Sequence, residues 1–497
     1  MEDPVGPSGD TRPNIVYIMA DDMGYGDVGC YNLDTKIPTP NMDRLAQEGI
    51  RFTDAHSPSA VCTPTRYGVM TGRYCWRSRL KWGVLYSYEP PLIERERLTV
   101  ASLLKQVGYH TACIGKWHLG LNFATKAGQT IDFGQPLPWP SLVERAVEEK
   151  IDFTQPVKGG PVDLGFDYFY GNSGCSTAQP PYGFIENDQF VEIPSVYHAD
   201  AVFTSRPGMM APSWDHKDVD PIIGHKAVEY IRSQVNPEGP FFLYLNPSSP
   251  HEPCVEKVVP EFARGQSGAG PRGDMVWLVD WLVGEVMDAL DRTGKADNTL
   301  IFVTSDNGAL PGDRVRGGSG DQPYRLYDHR SCGDWRGYKA HIWEGGHREP
   351  LIVRWPGKIA PGSTSDQLCS LIDLMATCAS IVDQDLPDDA AEDSFNLLPA
   401  LLDPDLADPI REDLFHHSCF GVFSLRREEW KVILDTRGSG GWPPPRDDMP
   451  VSGSPGQLYD IKNDPFEQHN LWDERPKLVA ELKDLIETYK EKGRTRS

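Results

Sequence analysis

Residues able to do chemistry recur in this sequence just beyond its apolar runs. Asp21-Asp22 follow the run Ile15 to Met19, and Asp306-Asn307 follow Leu300 to Val303. Adjacent carboxylates repel one another and lose hydration on burial, a cost that a cation or basic partners must offset. Carboxylates plus one amide form an all-oxygen donor set that suits a hard divalent ion, Ca²⁺ first and Mg²⁺ second. The same pairs in isolation also read as solvated turns. Pro64 has the fixed φ of a first helical residue, which would put Cys62 just ahead of a helix N-terminus, where backbone N–H groups favour an anion or a nucleophile becoming one. Cys62 alone would otherwise be a small buried hydrophobe. Lys116 and His118, two apart, point to one side of an extended segment. His251 follows the run Phe241 to Leu245, and an imidazole there can move a proton near neutral pH.

Taken whole, Ala60-Val61-Cys62-Thr63-Pro64-Thr65-Arg66 with Tyr67-Gly68-Val69-Met70-Thr71-Gly72-Arg73 resembles, position by position, the activation signature of type I sulfatases, the formylglycine-dependent branch of the alkaline phosphatase superfamily. Gly108 to His118 resembles that family's second signature, and Gly337 to Pro350 its lysine-bearing block around Lys339. The resemblance implies an enzyme, a sulfuric ester hydrolase of the arylsulfatase type, acting on carbohydrate or aryl sulfates. It implies that a formylglycine-generating maturation enzyme oxidises Cys62 to formylglycine (3-oxoalanine), whose hydrate attacks sulfur. The implied metal ligands are Asp21, Asp22, Asp306 and Asn307, completed by residue 62. Arg66 would orient the nucleophile together with Asp306. Lys116, Lys339 and His251 would hold the sulfate, His251 would protonate the leaving alcohol, and His118 would take the proton of residue 62 when sulfate is expelled. Glu349 departs from the block, which is usually apolar there, and puts the local packing in question. The competing readings are a phosphonate monoester or phosphodiester hydrolase of the same superfamily, and a non-catalytic protein binding sulfated glycans. The latter would be expected to have lost a nucleophile or ligand, and every nucleophile and ligand position named above is retained.

Composition narrows the partners and the compartment. The 497 residues carry a net charge of -23, which repels nucleic acid and anionic membranes, so a sulfated substrate needs a locally basic pocket. No apolar run reaches the length of a membrane span. The ten cysteines lack Cys-x-x-Cys pairs and suit neither a disulfide framework nor a structural zinc site. Met1 to Asp10 is acidic and rich in Pro and Gly, unlike a secretory leader, so a disordered lead-in over residues 1–12 and a cytoplasmic home are expected, with a leader-stripped periplasmic or secreted form as the alternative. No Asn-x-Ser/Thr acceptor lacks proline, Asn246-Pro247-Ser248 being blocked.

Four apolar runs, Ile15 to Met19, Phe241 to Leu245, Leu300 to Val303 and Leu351 to Val353, read as buried strands. Helical spacing of Val276, Val279, Val283, Val286 and Leu290, and of Ile222, Ile223, Val228 and Ile231, lies between them. The alternation predicts an α/β fold with a large, mixed, mostly parallel central sheet sandwiched by helices, with ligands at the carboxyl ends of its strands. This catalytic unit is expected over 13–385. Over 386–497 a small C-terminal domain is expected, with a hairpin at Val422 to Leu425 and Trp430 to Leu434, a strand at Gln457 to Ile461 and a closing helix at Pro476 to Lys492. Pro/Gly-rich loops are expected at 311–323 and 438–456. Trp139, Tyr182 and Trp442 are candidates to stack on sugar rings.

Overall fold

The computed structural model describes residues 12–131, 146–199, 206–234, 239–310, 327–434, 438–442 and 453–496. Trp139, the lead-in up to residue 11, the 311–323 loop and most of the 438–456 loop lie outside these residues. The large sheet is built from β1 (Asn14–Ala20), β2 (Ile50–Phe52), β3 (His110–Lys116), β4 (Tyr168–Asn172), β5 (Ile185–Glu186), β6 (Gln189–Phe190), β7 (Phe241–Asn246), β8 (Thr299–Ser305), β9 (Leu351–Arg354) and β10 (Ser363–Ser365). Its ten strands run in the order β10-β2-β9-β8-β1-β7-β3-β4-β5-β6. The middle is parallel: Ile15 pairs with Phe242 on one side and Leu300 on the other, and β3 bridges β7 to β4. The run at Leu351 is a strand as expected, but β9 lies antiparallel between β8 and β2.

Apolar residues at consecutive positions of β1 are needed because both faces are covered. Ile15, Tyr17 and Met19 enter one core with α2 (Cys62–Thr71), α3 (Val100–Gln106) and α6 (Leu374–Ile381). Val16, Ile18 and Ala20 enter the other with α1 (Pro40–Gln47), α4 (Val219–Ser233) and α5 (Gly270–Arg292). The period-2 alternation of a strand thus sorts one segment between two cores. Ala391, Leu397, Ala400 and Leu401 also pack in the first core. No described helix is long and apolar enough to cross a membrane.

The C-terminal sheet is antiparallel, with strands β11 (Asp413–His417), β12 (Phe423–Arg427), β13 (Trp430–Ile433) and β14 (Gln457–Asp460) in that order. A final helix, α7 (Pro476–Lys492), buries Val479, Leu482 and Ile486 against Phe415, Leu425, Val432 and Leu458. On the other face, Ile433 and Tyr459 pack on Ile342 and Trp343, a short distance along the chain from Lys339. The small sheet therefore supports one wall of the site.

One close approach fixes how Lys116 leaves the sheet. Gly115 pairs with Gly171 across β3 and β4, has φ +107°, and its carbonyl would lie 1.8 Å from a Cβ placed on Gly171. Only glycine fits, because backbone cannot yield as a side-chain tip can. Gly171→Ala is expected to lower stability by about 1–3 kcal/mol, the range for overpacking, and to lower activity by moving Lys116. A thermal unfolding scan and an assay on the purified variant check this; an unchanged Tm with full activity would contradict the packing described.

Candidate active site

The sequence-predicted residues converge at the carboxyl ends of the central strands. Asp21 and Asp22 leave β1, Asp306 and Asn307 leave β8, Lys116 ends β3, and His251 lies in the loop after β7. Two backbone bonds tie these ends together: Asp306 N donates to Ala20 O at 3.1 Å, and Asp21 N donates to Ser249 O at 3.1 Å. Asp220 accepts from Ser248 N and Ser249 N at 2.7 and 2.8 Å, fixing the loop that carries His251.

Cys62 is the first residue of α2, with Val61 as the extended cap, so the helix begins two residues before Pro64. The first four helical N–H groups have no intrahelical acceptor, so proline at the third position loses nothing there. Every residue of α2 is buried, and its positive end faces the carboxylates.

Charges in the site are paired at short range. Lys116 Nζ donates to Asp21 Oδ2 at 2.6 Å, and Lys339 Nζ lies 2.7 Å from Asp22 Oδ1. Arg66 forks onto Asp306 Oδ2 from Nε at 3.0 Å and NH2 at 2.7 Å, and reaches Asn246 Oδ1 at 3.2 Å. Burial opposes charge on Asp21, but Lys116 carries its carboxyl below the usual range. Burial likewise opposes charge on Lys116 and Lys339, and Asp21 and Asp22 respectively raise them. Asp22 sits at φ +70°, a conformation Asp tolerates better than most residues, and its carbonyl accepts from Arg272 NH2 at 3.0 Å. Arg272 is held by Asp27 at 2.6 Å.

The donor set suits a divalent cation. Ligand atoms of Asp21, Asp22, Cys62 and Asp306 lie within 4.8 Å of one another, all buried. Asn307 Nδ2 donates to Asp22 Oδ1 at 2.7 Å, while its Oδ1 is buried with no hydrogen-bond partner, an oxygen free to ligate. Oxygen donors of this kind match a hard ion.

Backbone carbonyls fix the tautomers of both histidines. His118, at φ +56°, directs Nε2 to Leu85 O at 2.9 Å, so Nε2 carries the hydrogen and Nδ1 presents its lone pair to the site. His251 directs Nδ1 to Glu252 O at 2.8 Å, leaving Nε2 facing inward, 3.9 Å from Asp22 Oδ2. Burial, helped by Lys116, pushes His118 down to about 4. For His251, burial and Lys339 oppose protonation, and Asp21 and Asp22 outweigh them and raise it. The two imidazoles are thus shifted in opposite directions.

The structure also brings in Cys175, which the sequence analysis passed over. Its Sγ lies 3.4 Å from His251 Nε2 and 4.0 Å from His118 Nδ1. Cys62 Sγ lies 3.6 Å from Asp21 Oδ1, a contact favouring the thiol, but the hydrogen bond from Cys175, with Lys116 and Lys339, pulls it well below its ordinary value despite burial. Glu349, the departure noted above, is fully buried; its N–H donates to Ala55 O at 2.9 Å and its Oε1 accepts from Ser57 Oγ at 3.2 Å. Burial, with Asp306 nearby, holds its carboxyl well above the usual range. Of the aromatic candidates, Tyr182 is buried and Trp442 half-buried.

A family model described as Sulfatase matches residues 13–383. The chain is 35% identical over 501 residues to an N-acetylgalactosamine-6-O-sulfatase of Bacteroides thetaiotaomicron, covering 96% of this chain and 93% of that one. It is 33% identical over 475 residues to human arylsulfatase A, covering 92% and 83%. A sulfatase structure from work on the metabolism of multiple glycosaminoglycans by Bacteroides thetaiotaomicron superposes with a TM-score of 0.81 at 32% identity, covering 97% of this chain and 100% of that one. The chain belongs to the sulfatase family. It is a sulfuric ester hydrolase, of a family that generally uses formylglycine and a divalent metal.

The Asp27–Arg272 pair supports the Asp22 backbone from below. Arg272→Met removes the guanidinium from Asp27 but leaves His329, whose Nε2 lies 2.8 Å from Asp27 Oδ1, so the expected cost is about 1.5–3 kcal/mol, that of hydrogen bonds to a charged group. Urea unfolding measures it, and a loss below about 1 kcal/mol would show that His329 alone satisfies Asp27.

Proposed function

We propose that this sulfatase cleaves a sulfate monoester of a carbohydrate, with an N-acetylgalactosamine 6-sulfate as the first substrate to test, using Ca²⁺ at Asp21, Asp22, Asp306 and Asn307 and formylglycine at position 62. The observation that carries the reading is the orientation of His251: Nδ1 is committed to Glu252 O, so Nε2 is the nitrogen that meets the substrate. A sugar alkoxide is a poor leaving group and needs a proton, whereas an activated phenolate hardly does. The similarity to an N-acetylgalactosamine-6-O-sulfatase supports the choice of sugar.

When bound, the cation supplies positive charge against the sulfate oxygens, and formylglycine supplies a hydrated aldehyde in place of the thiol. Lys116, held on Asp21, and Lys339, held on Asp22, bring ammonium charge to the same anion, stabilising the charge that develops during transfer. Arg66 holds Asp306 in place through its fork. His251 Nε2 hands its proton to the departing oxygen. His118 Nδ1, with its lone pair set by Leu85 O, takes the proton from residue 62 that allows sulfate to leave. Cys62 is 2% exposed, so a maturation enzyme would act before this segment closes.

His251→Ala is expected to lose on the order of 10²- to 10⁴-fold on a sugar sulfate and far less on nitrophenyl sulfate. His118→Ala is expected to lose activity on both and to retain a sulfate adduct at residue 62 by intact mass. Equal losses for the two variants on the two substrates, without an adduct, would reverse these assignments. Rigorous chelation with verified metal loss is expected to abolish turnover, and added Ca²⁺ to restore it; full activity in metal-free protein would remove the cation from the mechanism.

A further inference from the structure

Two exposed rings stand close to the catalytic segments. Among the described residues Trp82 is the most exposed tryptophan, at 55%, and Phe420 is 54% exposed. A single exposed apolar residue is ordinary, but two large rings brought together from distant parts of the chain form a patch that marks an interaction site. Phe420 lies in the tight turn from β11 to β12, closed by Gly421 N donating to Ser418 O at 3.1 Å and Ser418 N donating to Val422 O at 3.0 Å. Trp82 lies in the segment following α2, where Gly83 N donates to Cys419 O at 2.8 Å. A Cβ placed on Gly421 would come 3.2 Å from Trp82 Cβ, so the tryptophan sits directly against the turn. Both segments are bonded to catalytic ones. Cys419 N donates to Ala340 O at 3.1 Å, next to Lys339. Three residues after Trp82, Leu85 N donates to Thr63 Oγ1 at 3.2 Å, beside Cys62, and Leu85 O is the carbonyl that orients His118. Lys339 and His251, 5 and 6% exposed, are where the site meets solvent, whereas Asp21, Asp22 and Asp306 are fully buried. With about 3.8 Å between successive Cα atoms, the Phe420 backbone stands on the order of 10 Å from that of Lys339.

We propose that Trp82 and Phe420 form a stacking platform for the sugar ring next to the sulfated one, so that the enzyme prefers a sulfated oligosaccharide to the sulfated monosaccharide. The inference rests on the carbohydrate reading above and adds the length of the substrate to it. The sulfated sugar is held by its anion at Lys116 and Lys339, and a ring joined to it emerges on the side where Lys339 meets solvent. A pyranose carries its hydroxyls around its rim and leaves C–H faces, which lie flat on an aromatic ring while the hydroxyls stay in water. The size of the patch favours such an occupant over a protein. Large aromatic side chains offer about 150–250 Å² each, and only part of that is exposed here. A stable protein interface buries about 800 Å² per partner, well beyond what two half-exposed rings supply. Neither ring touches the reacting atoms, so both act on binding and on the choice of substrate.

The test assays the active full chain on nitrophenyl sulfate, on N-acetylgalactosamine 6-sulfate, and on two trisaccharides carrying that sulfated sugar at the non-reducing or the reducing end. For the better trisaccharide, kcat/KM is expected to exceed that of the monosaccharide on the order of 10-fold, through a lower KM. In Trp82→Ala and in Phe420→Ala, each with an unchanged Tm, the ratio of the two kcat/KM values should fall about 3- to 10-fold. The fall should lie in KM with kcat retained, the pattern of lost ground-state binding, and Trp82→Phe, which keeps an aromatic face, should recover most of it. A ratio near one in the unsubstituted enzyme, an unchanged ratio in both Ala variants, or a fall carried by kcat would overturn the platform and leave the carbohydrate reading standing. Turnover of nitrophenyl sulfate but of no saccharide would overturn that reading and this inference with it. Concentration-dependent dimerisation that Trp82→Ala abolishes would assign the rings to a second copy of the chain and overturn the proposal.

Discussion

The burial of opposed charges at the ends of β1, β3 and β8 is the constraint on which the rest of the structure depends. Asp21, Asp22, Asp306, Arg66 and Lys116 are each 0% exposed. Taking such groups out of water costs several kcal/mol per ion unless the partners are close and the remaining lone pairs are used. The contacts of 2.6 to 2.7 Å between Lys116 and Asp21, Lys339 and Asp22, and Arg66 and Asp306 meet the first condition. The Asn307 oxygen, buried without a hydrogen-bond partner, offers a lone pair that a cation would use to meet the second.

Holding those pairs requires rigid surroundings, and each element of the fold supplies part of them. The parallel strands set the carboxylates side by side, α2 brings Cys62 and Arg66 in from one core, and α5 brings Arg272 beneath Asp22 from the other. The C-terminal sheet fixes the lysine-bearing segment: Ile342 N donates to Ser439 O at 2.7 Å and Trp343 Nε1 to Gln457 Oε1 at 2.8 Å, a few residues from Lys339. A domain that carries none of the charged groups of the site thus determines where one of its ammonium groups stands.

Most of this was legible in the sequence where apolar runs were long and motifs unbroken. The runs around Ile15, Phe241 and Leu300 became the central strands, and the spacing from Val276 to Leu290 became α5. β4 escaped because its residues, Tyr168-Phe169-Tyr170-Gly171-Asn172, mix aromatic and polar positions without an aliphatic run, and β11 because Leu414 and Phe415 are flanked by Asp413 and two histidines. Missing β4 also hid Cys175, since a residue just past a strand's carboxyl end attracts notice only once the strand is recognised. The start of α2 was displaced because proline is tolerated throughout the first turn, not only at its first position. The left-handed backbone of Asp22 and His118 left no sequence signal, because tertiary contacts such as Arg272 on the Asp22 carbonyl impose it.

The central claim is that residue 62, placed at a positive helix end among these pairs, acts as formylglycine. Peptide mass spectrometry of residue 62 across preparations with different extents of maturation, each assayed for sulfate release, tests it most directly. Specific activity is predicted to rise in proportion to the converted fraction and to vanish when that fraction is zero. Full activity in protein whose residue 62 is entirely cysteine would contradict the account.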